Sequence, residues 1–229
     1  MVIPNGFDLG QHRPDEDTRR RMRQALRIED GTILVGLVAR VHPQKDHRNF
    51  VRAAGMLSRR YPDVRFLLCG GAGCAGAGDT SPRNAELVRM IEQEGILGRV
   101  LLLGQRDDVP AVLNALDLGT LSSSYGEAFP LVIGEAMACG VPCVVTDVGD
   151  CGHLVGDTGR VVPPRDPAAL ARAWEELIEL GTAGRSRLGR AARARVEEHF
   201  GLPHVIAEYA ALYRRLLGAP GVQAVGSPA

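Results

Sequence analysis

The sequence predicts an α/β domain with a doubly wound parallel sheet, followed by a run of helices at its C-terminal side. Two features lead there. Short apolar runs alternate with longer amphipathic stretches, which is the order of strand and helix in a wound sheet. Within each run the apolar residues are consecutive rather than alternating, as expected of strands buried on both faces.

The elements follow in order. A helical pattern covers Asp15–Arg27, and the first strand is expected over Ile33–Ala39. Helix Asn49–Arg60, strand Val64–Cys69, helix Asn84–Glu94 and strand Val100–Leu103 come next. Helix Val109–Ala115, strand Leu118–Ser122, helix Leu131–Cys139 and strand Val144–Thr146 continue the alternation, and a shorter strand near Arg160–Val162 closes it. Beyond Pro163 the periodicity is helical throughout, over Pro167–Leu180, Arg185–His199 and His204–Leu217. The expected organisation is a lead-in over residues 1–14, one domain over 15–217, and a flexible tail over 218–229 rich in Gly, Ala and Pro.

Composition narrows the partners. Lys plus Arg equals Asp plus Glu at 27 each, so the 229-residue chain has no net charge. Nucleic-acid binding, which draws on a basic excess, is therefore not expected. No apolar stretch reaches the roughly 20 residues of a membrane-spanning helix, and the first residues lack the charged and apolar regions of a secretory signal. The five cysteines, at 69, 74, 139, 143 and 151, form no CxxC pair and no metal-ligand spacing with histidine. Reduced thiols, small buried roles and a cytoplasmic location are expected.

Three segments at strand ends carry the chemistry, since ligands of open α/β sheets sit beyond those ends. In the first, strand Ile33–Ala39 runs into Arg40 and, five residues on, Lys45. A guanidinium fork and a mobile ammonium at the mouth of a helix suit a diphosphate. Taken alone, the pair reads as solvated surface charge, and His42 between them reads as an exposed loop residue. The second segment, Gly70–Gly78, is glycine-rich but lacks the Lys-Ser/Thr ending of a phosphate-binding loop. It reads as a flexible loop that closes over a ligand.

The third segment, Ser122 to Pro142, is the most informative. Pro130 stands where a first helical residue belongs, and Gly140 provides the stop. Phe129, Pro130 and Leu131 would thus offer the helix mouth to an anion. Glu127 and Glu135 lie eight positions apart, on the order of 10 Å along a helix rise of about 1.5 Å per residue. That spacing suits two carboxylates gripping different hydroxyl-bearing parts of one long ligand. The bland alternatives are an exposed helix acid for Glu135 and a helix-dipole partner for Glu127. The apolar residues around Glu135 (Leu131, Val132, Ile133, Ala136, Met137, Ala138) argue for a specific role.

The stretch from Glu127 to Pro142 resembles the signature of glycosyltransferase family four, retaining enzymes of the GT-B architecture with two glutamates separated by seven residues. The resemblance extends across most of the chain. Arg40 and Lys45 fall where the family's diphosphate-binding pair lies, and Gly104–Val109 is similar to the loop beside the nucleotide base. Thr146–Gly149, Gly156–Gly159 and the hinge-like Val2–Asp8 fit as well. The resemblance implies a Rossmann-like, C-terminal donor-binding domain for a nucleotide-diphosphate sugar, with Arg40, Lys45 and Glu127 as its catalytic residues. It further implies that Gln105 and Arg106 lie by the base, that Glu135 holds the ribose and Glu127 the sugar, and that the backbone from Ala128 through Phe129 and Pro130 to Leu131 cradles the donor. No metal or other cofactor is expected, because the two cations take the place of a metal-held diphosphate.

Departures from the family pattern are Ala128 and Pro130 where glycines are common, Cys151-Gly152-His153 in place of small polar residues, and a long Gly70–Gly78 loop. An N-terminal acceptor-binding domain is expected to precede this one and to receive the last helix. A role in polysaccharide biosynthesis, at the inner face of the membrane, is in keeping with the family. Peripheral contact through Arg185, Arg187, Arg190, Arg193 and Arg195 is one reading of that helix; the adjoining Glu197 and Glu198 favour a solvated face. Two other functions stay open: a binding module without turnover, and a GT-B sugar-nucleotide epimerase.

Overall fold

The computed structural model describes residues 2–71 and 82–217. Among the described residues, six parallel strands form one sheet: β1 (Leu34–Val38), β2 (Arg65–Cys69), β3 (Val100–Gly104), β4 (Leu118–Leu121), β5 (Cys143–Thr146) and β6 (Arg160–Val162). Their spatial order is β3-β2-β1-β4-β5-β6. The doubly wound parallel sheet expected from the alternation is therefore present. The order turns back beside β1: the chain winds outward through β2 and β3, then returns to place β4 on the other flank of β1. That reversal opens a crevice at the carboxyl ends of β1 and β4.

The strands are apolar on both faces because each face meets helices. In β1, Leu34 faces one core while Val35 and Leu37 face the other; in β2, Leu67 faces the first and Phe66 and Leu68 the second. The first core is closed by α1 (Glu16–Ala25), α4 (Val109–Ala115), α5 (Leu131–Ala138), α6 (Cys151–Val155) and α8 (Gly181–His199). The second lies under α2 (His47–Ser58), α3 (Pro82–Gln93) and α7 (Pro167–Glu179). Its centre is Trp174, packed on Phe50 at 5.1 Å and on Phe66 at 6.0 Å, with the indole N–H donating to Thr120 Oγ1 at 3.0 Å.

At the amino end of the sheet, Asp117 anchors α1. Its carboxylate accepts from Arg19 at 2.7 Å, Arg23 at 3.0 Å and the Leu34 amide at 2.8 Å. The thiols of Cys69, Cys139, Cys143 and Cys151 are all buried and unpaired, and burial pushes that of Cys69 to about 11 and the other three to about 12. They act as small apolar residues, as expected; Cys74 lies outside the described residues.

Most boundaries fall within two residues of expectation, and Val109–Ala115 and Arg160–Val162 match it. The exceptions have local causes. Helix α8 begins at Gly181 rather than Arg185, because Gly184 is buried against the side chain of Leu180 instead of sitting in a loop. Helix α6 and a 3-10 turn over Pro43–Lys45 were not expected; both are single turns too short to show a period. The last helix, α9 (Leu202–Leu217), exposes Leu202, Ile206, Tyr209 and Tyr213.

The lead-in is docked. Phe7 is 3% exposed, donates its amide to Phe200 and accepts from the Leu202 amide, and its ring stacks on Phe129 at 5.9 Å. Gly134 makes room for that ring: a Cβ there would stand 1.9 Å from it. No described helix is long and apolar enough to cross a membrane. The expected tail, and the Gly-rich loop beyond Gly71, lie outside the described residues.

Candidate functional site

The crevice between β1 and β4 is built from two loops that are bonded to each other. After β1 the chain passes Arg40, and His42 caps the turn Pro43–Lys45 by accepting the Gln44 amide on its Nδ1 at 3.3 Å. His42 is thus half-buried and structural rather than an exposed loop residue. Asp46 follows in a left-handed conformation (φ 45°), tolerated by its short polar side chain, and caps α2 by accepting the Asn49 amide at 3.1 Å. From the β4 side, the fully buried Ser122 hydroxyl sits against the carbonyls of Lys45 and Asp46 at 2.8 and 3.2 Å. The Ser124 amide donates to Gln44 O at 2.9 Å, and Gln44 Nε2 returns a bond to Gly126 O at 2.7 Å.

This stitching brings Lys45 Nζ to 2.5 Å from Glu127 Oε1. The Ser123 hydroxyl donates to the same oxygen at 2.5 Å. The pair is mostly shielded from water, with side chains 17% and 7% exposed. The backbone of Glu127 is clasped from β5: Gly149, at φ 57°, lies so close that a Cβ would stand 1.8 Å from Glu127 O, and the Asp150 amide donates to Ala128 O at 2.9 Å. A left-handed φ and no room for a side chain make glycine the residue that fits there.

The other expected residues are placed as follows. Arg40 is exposed and lines a cavity of about 370 Å³ with Gln105, Gly70, Gly71 and Arg83. Arg106 turns to Asp108 in its own loop, with a two-pronged bond at 2.7 and 2.6 Å. That contact holds the Asp108 carboxyl below the usual carboxylate range. Pro130 is the residue before the helix rather than its first turn, and α5 starts at Leu131, which is half-exposed. Phe129 turns its ring inward between Phe7 and Phe200, at 5.9 and 5.5 Å, so only its backbone remains for a ligand.

Glu135 lies one helical turn into α5 and is half-buried. Burial raises its carboxyl above the ordinary value, with His12 acting in the opposite sense. Among the described residues, neither Glu135 nor Arg106 is hydrogen-bonded or ion-paired to Lys45 or Glu127. The site therefore unites Lys45 with Glu127 and Arg40 with Gln105, and leaves Glu135 as a separate carboxylate within α5. Sequence reasoning gave no role to Gln44 or Ser123, and took Thr146 and Gly149 only as part of a segment that fits the family. The run Ser122–Ser124 directly after a strand was the one available signal, since hydroxyls buried at a strand end need partners.

Chemically, a carboxylate, an ammonium and a guanidinium at one crevice can hold a polyanion beside a group of hydroxyls. Comparison with known proteins gives that chemistry a setting. The model of the family "Glycosyl transferases group 1" matches residues 18–195. D-inositol 3-phosphate glycosyltransferase of Mycobacterium tuberculosis is 34% identical over 221 residues, covering 95% of this chain and 44% of that protein. The chain thus spans less than half the length of the curated relatives it matches. Among solved structures, HepE from Anabaena in complex with UDP aligns with a TM-score of 0.84 at 27% identity, over 94% of this chain and 57% of that one. HepE in complex with UDP-glucose aligns at 0.83 and 28%, with the same coverage. Sucrose-phosphate synthase from Thermosynechococcus elongatus aligns at 0.79 and 28%, over 95% of this chain and 52% of that one.

Proposed function

Because the chain belongs to the glycosyl transferases group 1 family, we propose that it is the donor-binding half of a retaining, metal-independent glycosyltransferase of family four. It would take a sugar from a nucleotide-diphosphate donor and pass it to an acceptor hydroxyl. The observation that carries this reading is the meeting of Lys45 and Glu127 at 2.5 Å, at the crevice where the sheet order reverses.

In this reading Lys45 and Arg40 hold the diphosphate and stabilise the charge that develops on it as the sugar departs. The Glu127 carboxylate accepts bonds from the sugar hydroxyls, and Glu135 from the ribose. Gln105, which lines the same cavity as Arg40, stands beside the base, with Arg106 on the same loop. HepE, solved with UDP and with UDP-glucose, makes a uridine donor the first candidate. The acceptor site and the surface that meets the apolar face of α9 would come from an N-terminal half of the enzyme. We further propose a cytoplasmic setting, in keeping with the buried thiols, and a role in polysaccharide biosynthesis.

Calorimetric titration of the chain with UDP-, GDP- and ADP-sugars tests this. One donor should bind with micromolar to millimolar affinity, unaffected by EDTA, and Lys45→Ala and Glu135→Ala should each weaken it by about tenfold or more. Binding abolished by EDTA sinks the metal-independent reading. A folded chain that ignores every donor sinks the site.

A further inference from the structure

We propose that Ser123 is a positioning residue that keeps Glu127 aimed at the sugar once the diphosphate has drawn Lys45 away; this rests on the reading of the site given above.

Glu127 Oε1 receives two donors, the Lys45 ammonium and the Ser123 hydroxyl, each at 2.5 Å. An ionised carboxylate only accepts, so the serine proton points to it. No hydrogen bond from the described residues reaches Oε2, which leaves that oxygen for a hydroxyl of the ligand. The ammonium has competing duties: a diphosphate entering the crevice is a stronger anion for Lys45 than one carboxylate. When Lys45 turns to it, the Ser123 hydroxyl is what continues to hold Oε1. A carboxylate torsion is otherwise broad, so Glu127 without that bond would lose its orientation.

The serine itself cannot follow a moving ligand. It is fully buried, and its carbonyl accepts the Thr146 hydroxyl at 2.6 Å from the end of β5, itself fully buried. Ser122, one residue earlier, holds the Lys45 carbonyl. The β4 end thus grips the Lys45 backbone through one serine and the Glu127 carboxylate through the next, while Thr146 of β5 holds the second serine's backbone.

The test compares UDP with UDP-glucose on the same chain, because only the second carries a sugar for Glu127. Ser123→Ala should leave the Kd for UDP within about twofold. It should lower the advantage of UDP-glucose over UDP by about tenfold, the loss of one bond to a charged group. Ser123→Thr, which keeps the hydroxyl, should restore that advantage. In a Glu127→Ala background, Ser123→Ala should cost nothing further. Equal loss for both ligands, a fall in Tm with the ratio unchanged, or a persisting loss in the Glu127→Ala background each overturns the role of Ser123 and leaves the donor site standing. Should another donor of the panel bind in place of UDP-glucose, the same comparison is made with it and its nucleoside diphosphate. A wild-type chain that binds no donor of the panel, or binds the donor no better than its nucleoside diphosphate, overturns the reading of the site and this inference with it.

Discussion

Lys45 and Glu127 are 82 positions apart in the chain and 2.5 Å apart in the fold. Each stands on the loop after a strand, and the two strands, β1 and β4, are neighbours because the winding reverses between them. A cation and a carboxylate so placed satisfy each other until a stronger anion enters.

That arrangement predicts unequal effects of removing either partner. Lys45→Ala should weaken donor binding by about 1.5–3 kcal/mol, the range of hydrogen bonds to charged groups. Glu127→Gln should weaken a nucleoside diphosphate little, or tighten it, because Lys45 no longer has a competing partner. Titration of both variants with UDP decides the matter; a large loss of UDP affinity in Glu127→Gln would contradict it.

Donor binding should also depend on pH through Glu135. Burial raises its carboxyl above the ordinary 4.5, so the carboxylate that accepts ribose hydroxyls is lost at a higher pH than usual as the solution is acidified. Binding should therefore weaken on going down through the range just above 4.5, and Glu135→Gln should bind weakly with that dependence flattened. Calorimetry across pH 7 to 4.5 measures this.

Stability has a pH dependence of its own, at His47. Burial, and secondarily the Lys45 charge, lower its pKa from 6.5 to about 4, and its Nδ1 has no hydrogen-bond partner among the described residues. Above pH 6.5 the ring is neutral in folded and unfolded chains alike. Between 6.5 and about 4 only the unfolded chain takes up the proton, so stability falls as pH falls through that window, by about 3 kcal/mol in all. Urea titrations at pH 7 and pH 4.5 should show a fall that is smaller in His47→Phe; an equal fall in both proteins would remove His47 as its source.

Asp117→Ala should be the most damaging of these changes to the fold. It leaves Arg19, Arg23 and the Leu34 amide without their shared acceptor, with Arg23 only 10% exposed. Breaking such a buried pair costs about 3–5 kcal/mol. Because α1 lies at the end of the sheet opposite the crevice, any protein that still folds should bind donor normally. Thermal denaturation together with calorimetry separates the two effects.

Two kinds of information divide this protein. Periodicity, composition and strand-end position were local, and they sufficed for the wound parallel sheet, the buried thiols and the positions of Arg40, Lys45 and Glu127 on loops after strands and of Glu135 inside α5. A strand apolar at consecutive positions announces two covered faces wherever it lies, and Gly140 (φ 74°) announces a helix end. Which side chains meet was not local. That Glu127 rests on Lys45 and Ser123, that Arg106 turns to Asp108, that Phe7 stacks on Phe129, and that His42 caps a turn all depend on the strand order, which sets loops distant in sequence side by side. Hydrogen bonds act over about 3 Å and depend on direction, so the partners of a polar side chain are decided only when the sheet has brought its neighbours to it.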